Sequence, residues 1–282
     1  MASKKLHFIK SMLHLRRCLL KNGLRRFHTH CIVVEPSLVS NHNFGQPVAQ
    51  THPHLLSEEE VVPGIRKTEF KQRRMKLFIS AQKRVSLAKD HIMIFPSSTK
   101  SYMSYDIPYL FRQNTEFLYL CGFQEPDSLL ILHNGNKEMD RNHISVLFVP
   151  KKEPQKELWD GPRSGDAGAK LITGVDQAKN MEDLEEYLYQ YSRDHENFVV
   201  WHNFKSSEQS HSQGIVQQFL AEKRHVDLQS PLNLVHQLRV VKSDAEIDLM
   251  RKSNSITSEA FVEVMKFSHA GVSISTFYII SN

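Results

Sequence analysis

The chain has 282 residues, 40% of them hydrophobic and 24% charged, with a formal net charge of +5. That is the balance of a soluble globular protein with room for one large domain or two ordinary ones, and no apolar run approaches the roughly 18 residues needed to span a bilayer. The basic excess is confined to residues 1–34, which hold eight Lys or Arg and no Asp or Glu; the rest has 28 Lys or Arg against 31 Asp or Glu. A nucleic-acid-binding body, which wants its positive charge on the folded domain, is thereby disfavoured.

Residues 1–34 combine Lys4, Lys5, Lys10, Arg16, Arg17, Lys21, Arg25 and Arg26 with Ile9, Met12, Leu13 and Leu20 on one helical face. A basic, acid-free, mildly amphipathic start is the composition of a mitochondrial transit peptide. It predicts the mitochondrial matrix as destination, with the cytoplasm as the alternative and a disordered basic tail as the competing reading. Of Cys18, Cys31 and Cys121, the first two lie in this segment, leaving one in the body. No disulfide framework is possible, which suits a reducing compartment.

Residues 35–66 read as an irregular arm, broken by Pro36, Pro47, Pro53 and Pro63. A helix is expected over 68–89, where Phe70, Leu77, Phe78, Ala81, Val85 and Ala88 recur at threes and fours. Short strands are expected over 91–95, 117–120, 128–132 and 144–149, with a turn at 133–136. The passage 151–174 is polar and rich in glycine and proline, and its stretch from Gly161 to Lys170 is expected to be a structural loop. Helices over 181–191 and 210–223 flank a strand at 198–201. Helix and strand alternate in this half, so the architecture expected is a layered α/β domain with a mixed sheet and flanking helices. Ser243-Asp244-Ala245-Glu246 is a capping box that starts a long helix running to about residue 267.

No motif supplies a complete catalytic set. The 16 histidines include no pair at zincin spacing, and His28, His30 and Cys31 sit in the segment expected to be removed. Gly161 to Lys170 resembles a phosphate loop, but Ala169 separates the last glycine from Lys170 and Leu171 stands where a hydroxyl is needed. Ser97-Ser98-Thr99-Lys100 lacks the companion elements of a Ser-x-x-Lys enzyme. Cys121, after an apolar run, is expected to be a buried strand residue without a base to activate it. Glu125 and Asp127 bracket Pro126 in a turn between strands, where carboxylates are more often solvated or capping than catalytic.

The larger pattern is more specific. Residues 105–132, YDIPYLFRQNTEFLYLCGFQEPDSLLIL, closely resemble the N-terminal domain of the aminopeptidase P family, whose members share Phe-x-Tyr-x-x-Gly-Phe-x-Glu-Pro. LWDGPRSGDAGAKLITGVDQA at 158–178 is similar to the family's Trp-x-Gly-x-Arg-x-Gly segment. HQLRVVKSDAEIDLMRKSNSITSEAF at 236–261 resembles the linker helix that leads into its catalytic domain.

The resemblance implies a creatinase-like, ribonuclease-H-like fold for 67–235, followed in 236–282 by the linker helix and the truncated start of a pita-bread domain. It implies Xaa-Pro aminopeptidase chemistry on proline-containing peptides. In the family, two Mn²⁺ ions are held by two Asp, one His and two Glu, all beyond the linker helix. None of those segments follows here, so no ligand is carried over, no metal is expected on this chain, and the chain alone is expected to be inactive. Arg163, the arginine of the second segment, is the one residue implied to lie near substrate; its competing reading is a structural arginine in a Gly/Pro loop. Leu118 stands where the family often has an aromatic lining a neighbouring subunit's cleft. A homodimer is implied, with neither nucleic acid nor membrane as partner. The alternative is a non-catalytic module that dimerises or binds a peptidase.

Overall fold

A computed structural model describes residues 44–85, 90–134, 143–195, 197–203, 210–221 and 227–268. Segment 1–34, expected to be a transit peptide, part of the 133–136 turn and the last residues of the chain lie outside these.

A six-stranded mixed sheet is the centre of the fold. In chain order its strands are β3 (Asp90–Pro96), β6 (Leu129–His133), β7 (Ile144–Val149), β8 (Gln177–Asn180), β9 (Phe198–Trp201) and β10 (Asp227–Gln229). The order across the sheet is β10-β9-β3-β6-β7-β8. β6 runs antiparallel to β3 and to β7, and the outer pairings are parallel. Two small hairpins lie outside it: β1 (Glu60–Val62) with β2 (Ile65–Arg66), and β4 (Tyr102–Ser104) with β5 (Ile107–Pro108).

Both faces of the sheet are covered, which is why β3, β6 and β7 read as continuous apolar runs rather than as alternating ones. One face carries Met93, Phe95, Leu130, Leu132, Leu147 and Trp201. It packs against α1 (Lys67–Arg84), α2 (Thr115–Cys121), α4 (Gly165–Thr173) and α7 (Leu232–Val240). The other carries Ile92, Ile94, Ile131, Phe148 and Val200 under α5 (Leu184–Asp194) and α6 (Ser210–Ala221). The expected α/β architecture, a mixed sheet with flanking helices, is the one observed.

Three expectations are corrected. Residues 117–120 are not a strand: α2 occupies them. Asn114 Oδ1 accepts the N–H groups of Glu116 and Phe117 at 3.0 and 3.2 Å, and Gly122 closes the helix at φ 69°, its N–H donating to Leu118 O at 2.8 Å. Phe117, Leu120 and Cys121 are the buried set, the three- and four-residue spacing of a helix face. A Cβ at Gly122 would stand 2.6 Å from Val61 and 2.7 Å from Phe70, so both conformation and space require glycine. Cys121 is buried, but in a helix. The stretch 161–170 is loop only as far as Ser164: α4 starts at Gly165 and is closed by Gly174 at φ 63°, and α3 (Pro154–Asp160), with its proline in the first turn, precedes it. The arm is not wholly irregular, since it contributes β1 and β2 and buries Val61 in the core.

α8 (Asp244–Phe267) begins with the expected capping box. Ser243 Oγ accepts the Glu246 N–H at 3.2 Å and Glu246 Oε2 accepts the Ser243 N–H at 2.8 Å. None of its 24 residues is buried.

Candidate functional site

The turn after α2 is clamped by a buried polar cluster. Glu125 is 2% exposed. Its Oε1 accepts the N–H of Ser164 at 2.9 Å and of Gly45 at 3.2 Å, joining the α4 entry and the arm. Burial pushes this carboxyl up, and the donors from Ser164 and Gly45 together with the nearby Arg163 charge work against that. A Cβ at Gly45 would lie 2.5 Å from Glu125 Oε1, so the carboxylate and the glycine are matched. Gln113 braces the same turn: Nε2 donates to Phe123 O and Glu125 O at 3.2 and 2.9 Å, while Oε1 accepts the N–H groups of Ser98 and Asn114. Gln46 Oε1 accepts the Gln124 N–H at 2.7 Å.

The turn at 125–127 therefore joins a helix to a strand, not two strands. Glu125 is no solvated carboxylate; it is a buried acceptor that caps the entry to α4. Ser97 and Ser98, the start of the Ser-x-x-Lys match, are stitched to Asp127 and Ser128 through backbone and hydroxyl bonds of 2.7–3.1 Å. Cys121 donates to Phe117 O at 3.1 Å and burial pushes its thiol up to about 12, which removes it as a nucleophile.

Arg163 sits half-buried on the loop entering α4, its Nη1 3.5 Å from Pro126 O. It borders a small pocket of about 210 Å³ with Asp127, Lys151, Lys156, Glu157 and Asp160. Asp127 has φ 59°, unusual for a residue other than glycine. Burial raises its carboxyl, against the pull of Arg163 and Lys100. Lys100 Nζ is held by Asp160 Oδ1 at 3.1 Å. Paired charges facing a small opening can hydrogen-bond a peptide carbonyl or carboxylate.

A larger groove, about 770 Å³, opens between α1, α2, α7 and the start of α8. Leu118 lines it half-buried. Arg73 is its organising residue: the guanidinium lies 4.3 Å from the Tyr119 ring centroid and 4.9 Å from that of Phe70. It pairs with Glu69, reaches Glu246 at 3.0 Å and donates to Tyr119 O at 3.1 Å. Arg73 thus ties the first helix to the capping box of the last. This residue was not evident in the sequence, where it reads as one more solvated cation of α1; only its place in the buried register with Phe70 and Leu77 hints otherwise.

Among the described residues no three His, Cys, Asp or Glu converge to hold a metal. Three of the four buried histidines are engaged in hydrogen bonds elsewhere: His91 Nδ1 accepts from Trp201, His133 bonds Asn134 O and Tyr187, and His202 Nδ1 meets Ile94 O, while His143 stacks on Phe78. The two manganese ions implied by the resemblance therefore do not fit the described residues. Likewise, no described helix is long and apolar enough to cross a membrane.

A mixed sheet buried on both faces, a clamped Phe-x-Glu-Pro turn and a capped exit helix define the N-terminal domain of an aminopeptidase P. Residues 70–201 match the family described as Aminopeptidase P, N-terminal domain, so this part of the chain carries that domain. It is 40% identical over 245 residues to Xaa-Pro aminopeptidase 3 of Rattus norvegicus, a match covering 85% of this chain and 48% of the relative. The Homo sapiens protein of that name is 39% identical over the same length. Intermediate cleaving peptidase 55, mitochondrial, of Arabidopsis thaliana is 32% identical over 223 residues. Among solved structures, aminopeptidase P from E. coli aligns with TM-score 0.66 and 26% identity, over 77% of this chain and 48% of that one. The chain spans about half the length of the curated relatives it matches.

Proposed function

We propose that residues 44–268 serve an Xaa-Pro aminopeptidase as its non-catalytic N-terminal half, and that the chain alone does not hydrolyse peptides. In this reading the whole protein releases an N-terminal residue that precedes proline, with Mn²⁺ supplied by ligands outside the described residues. The observation that carries it is a conjunction. Similarity to Xaa-Pro aminopeptidase 3 extends over 85% of this chain, yet the described residues assemble no metal-binding cluster. The groove beside α8 and the uncovered length of that helix support a docking role for this end of the domain. Arg163 is the residue proposed to face the peptide, through its guanidinium and the paired charges around it.

The basic, acid-free segment 1–34 and the mitochondrial plant relative support the matrix as location. Import of the full chain into isolated mitochondria, with loss of the N-terminal segment, is the result expected; retention of the intact chain in the cytosol would favour the alternative.

The activity test is direct. Purified chain with excess Mn²⁺ is incubated with an Xaa-Pro-Xaa tripeptide, and release of the first residue is followed against a chelated control. No release above the control is expected. Metal-dependent turnover would overturn the reading.

A further inference from the structure

α5 and α6 pack together on the sheet face opposite α4 and α7, and a second groove, of about 400 Å³, opens between them. Its floor is apolar: Leu188 and Phe219 are buried, Ile215 is half-buried, and Tyr189 at the rim is 50% exposed. One wall is acidic. Glu182, Glu185 and Glu186 line it, all exposed. They are spaced by three and four residues, so their carboxylates share one side of the helix start. Among the described residues no Lys or Arg lines this groove. Lys156, whose charge reaches Glu182, is itself held by Glu153 at 2.8 Å. Arg193 sits one turn beyond Tyr189, its guanidinium 5.9 Å from that ring centroid.

Two simpler readings leave part of this unexplained. Acidic residues in a first turn complement the positive end of a helix. That accounts for the sign of Glu185 and Glu186 but not for the apolar opening beside them. A bound divalent cation would need converging ligands, and no three His, Cys, Asp or Glu converge among the described residues. The combination instead selects a partner. Like charges at this spacing repel one another, and a cationic side chain set among them relieves the repulsion. The apolar floor has room for about two or three aliphatic side chains, the anchors that an amphipathic helix presents at i, i+3 or i+4, and i+7. An acidic wall turns away acidic peptides and anionic lipid surfaces. The groove lies across the sheet from the one beside α8, so an occupant here leaves that end of the domain open.

We propose that the α5–α6 groove binds a basic amphipathic helix of another protein, its apolar stripe on Leu188, Ile215 and Phe219 and its Lys or Arg side chains against Glu182, Glu185 and Glu186. The proposal stands apart from the peptidase reading, because peptide binding and peptide release are measured separately. The probe is a fluorescent peptide of about 18 residues, long enough to form a helix, built of Leu, Ala and Lys with the leucines along one side. Fluorescence anisotropy on the full chain follows its binding, with circular dichroism to verify the fold of each variant. Saturable binding is expected. Glu185→Lys with Glu186→Lys should raise the dissociation constant at least about tenfold, and Tyr189→Ala should raise it by less. Glu58→Lys with Glu59→Lys, exposed on the arm, makes the same change in net charge and should leave it within about twofold. Absence of saturable binding would overturn the proposal, as would equal binding of a peptide with Glu in place of Lys or of one with its leucines scattered. So would equal losses in the two double variants, or none in the groove variant. A mass of two chains that falls to one on substituting Glu185 and Glu186 would overturn it too, giving the groove to a second copy.

Discussion

α2 and α8 are both started by side-chain caps, Asn114 in one and Ser243 with Glu246 in the other. α2 buries Phe117, Leu120 and Cys121 out of seven residues. α8 buries none of 24 and leaves Met250, Ile256, Phe261 and Met265 in solvent. Capping fixes where a helix begins, but burial decides whether it belongs to a self-sufficient core. α2 is an internal strut of the domain. α8 is anchored near its start, through Glu246 to Arg73, Ser243 to Glu69 and the packing of Leu249 against the core, and its later apolar residues stay exposed.

The widest separation between the two regions should appear on truncating an aromatic in each. Phe117→Ala is expected to cost about 3–5 kcal/mol, read from the urea midpoint. Phe261→Ala should change stability by less than about 0.5 kcal/mol. Equal costs would remove the distinction.

Acid should weaken the core without a comparable effect on α8. Burial holds His133 and His143 down to about 4 from an unfolded value near 6.5. Groups depressed on folding contribute stability that is complete above the unfolded value and lost as pH falls through the folded one. Stability should therefore drop between about pH 6.5 and 4, by on the order of 1–3 kcal/mol per histidine. His133→Gln should flatten part of that slope in a pH series of urea melts.

The clamp at Glu125 is the next test. Glu125→Ala leaves the N–H groups of Ser164 and Gly45 without their acceptor and should cost about 1–3 kcal/mol. Glu125→Gln keeps an acceptor oxygen and should cost less. The smallest effect belongs to α8 itself: Ser243→Ala should cost about 1 kcal/mol, seen as faster hydrogen exchange confined to the first turn of that helix.

Much of the frame was legible in the sequence. β3, β7 and β9 fall within a residue of the expected strands because each is a short apolar run with a clear stop. α8 was readable from its capping box and the helical spacing of Ile247, Met250, Phe261, Val264 and Met265 after it. α2 was not, because Phe117 and Tyr119 alternate like strand residues, and the Asn114 and Gly122 caps decided the matter. β8, with the residues Gln177–Asn180, has no apolar pattern and takes its conformation from pairing with β7. The Glu125 clamp was illegible for a different reason: its partners lie 80 and 39 residues away, a distance over which local pattern carries no information. The family signature spanned these places, so the fold class was recoverable even where single elements were misread.

Mn²⁺ binding to the full chain, followed by electron paramagnetic resonance of the free ion, tests the central claim most directly. A domain whose described residues gather no ligand cluster should leave the free-ion signal undiminished at micromolar Mn²⁺. Loss of two equivalents of that signal, with release of the first residue from an Xaa-Pro peptide, would place the catalytic centre within this chain and contradict the account.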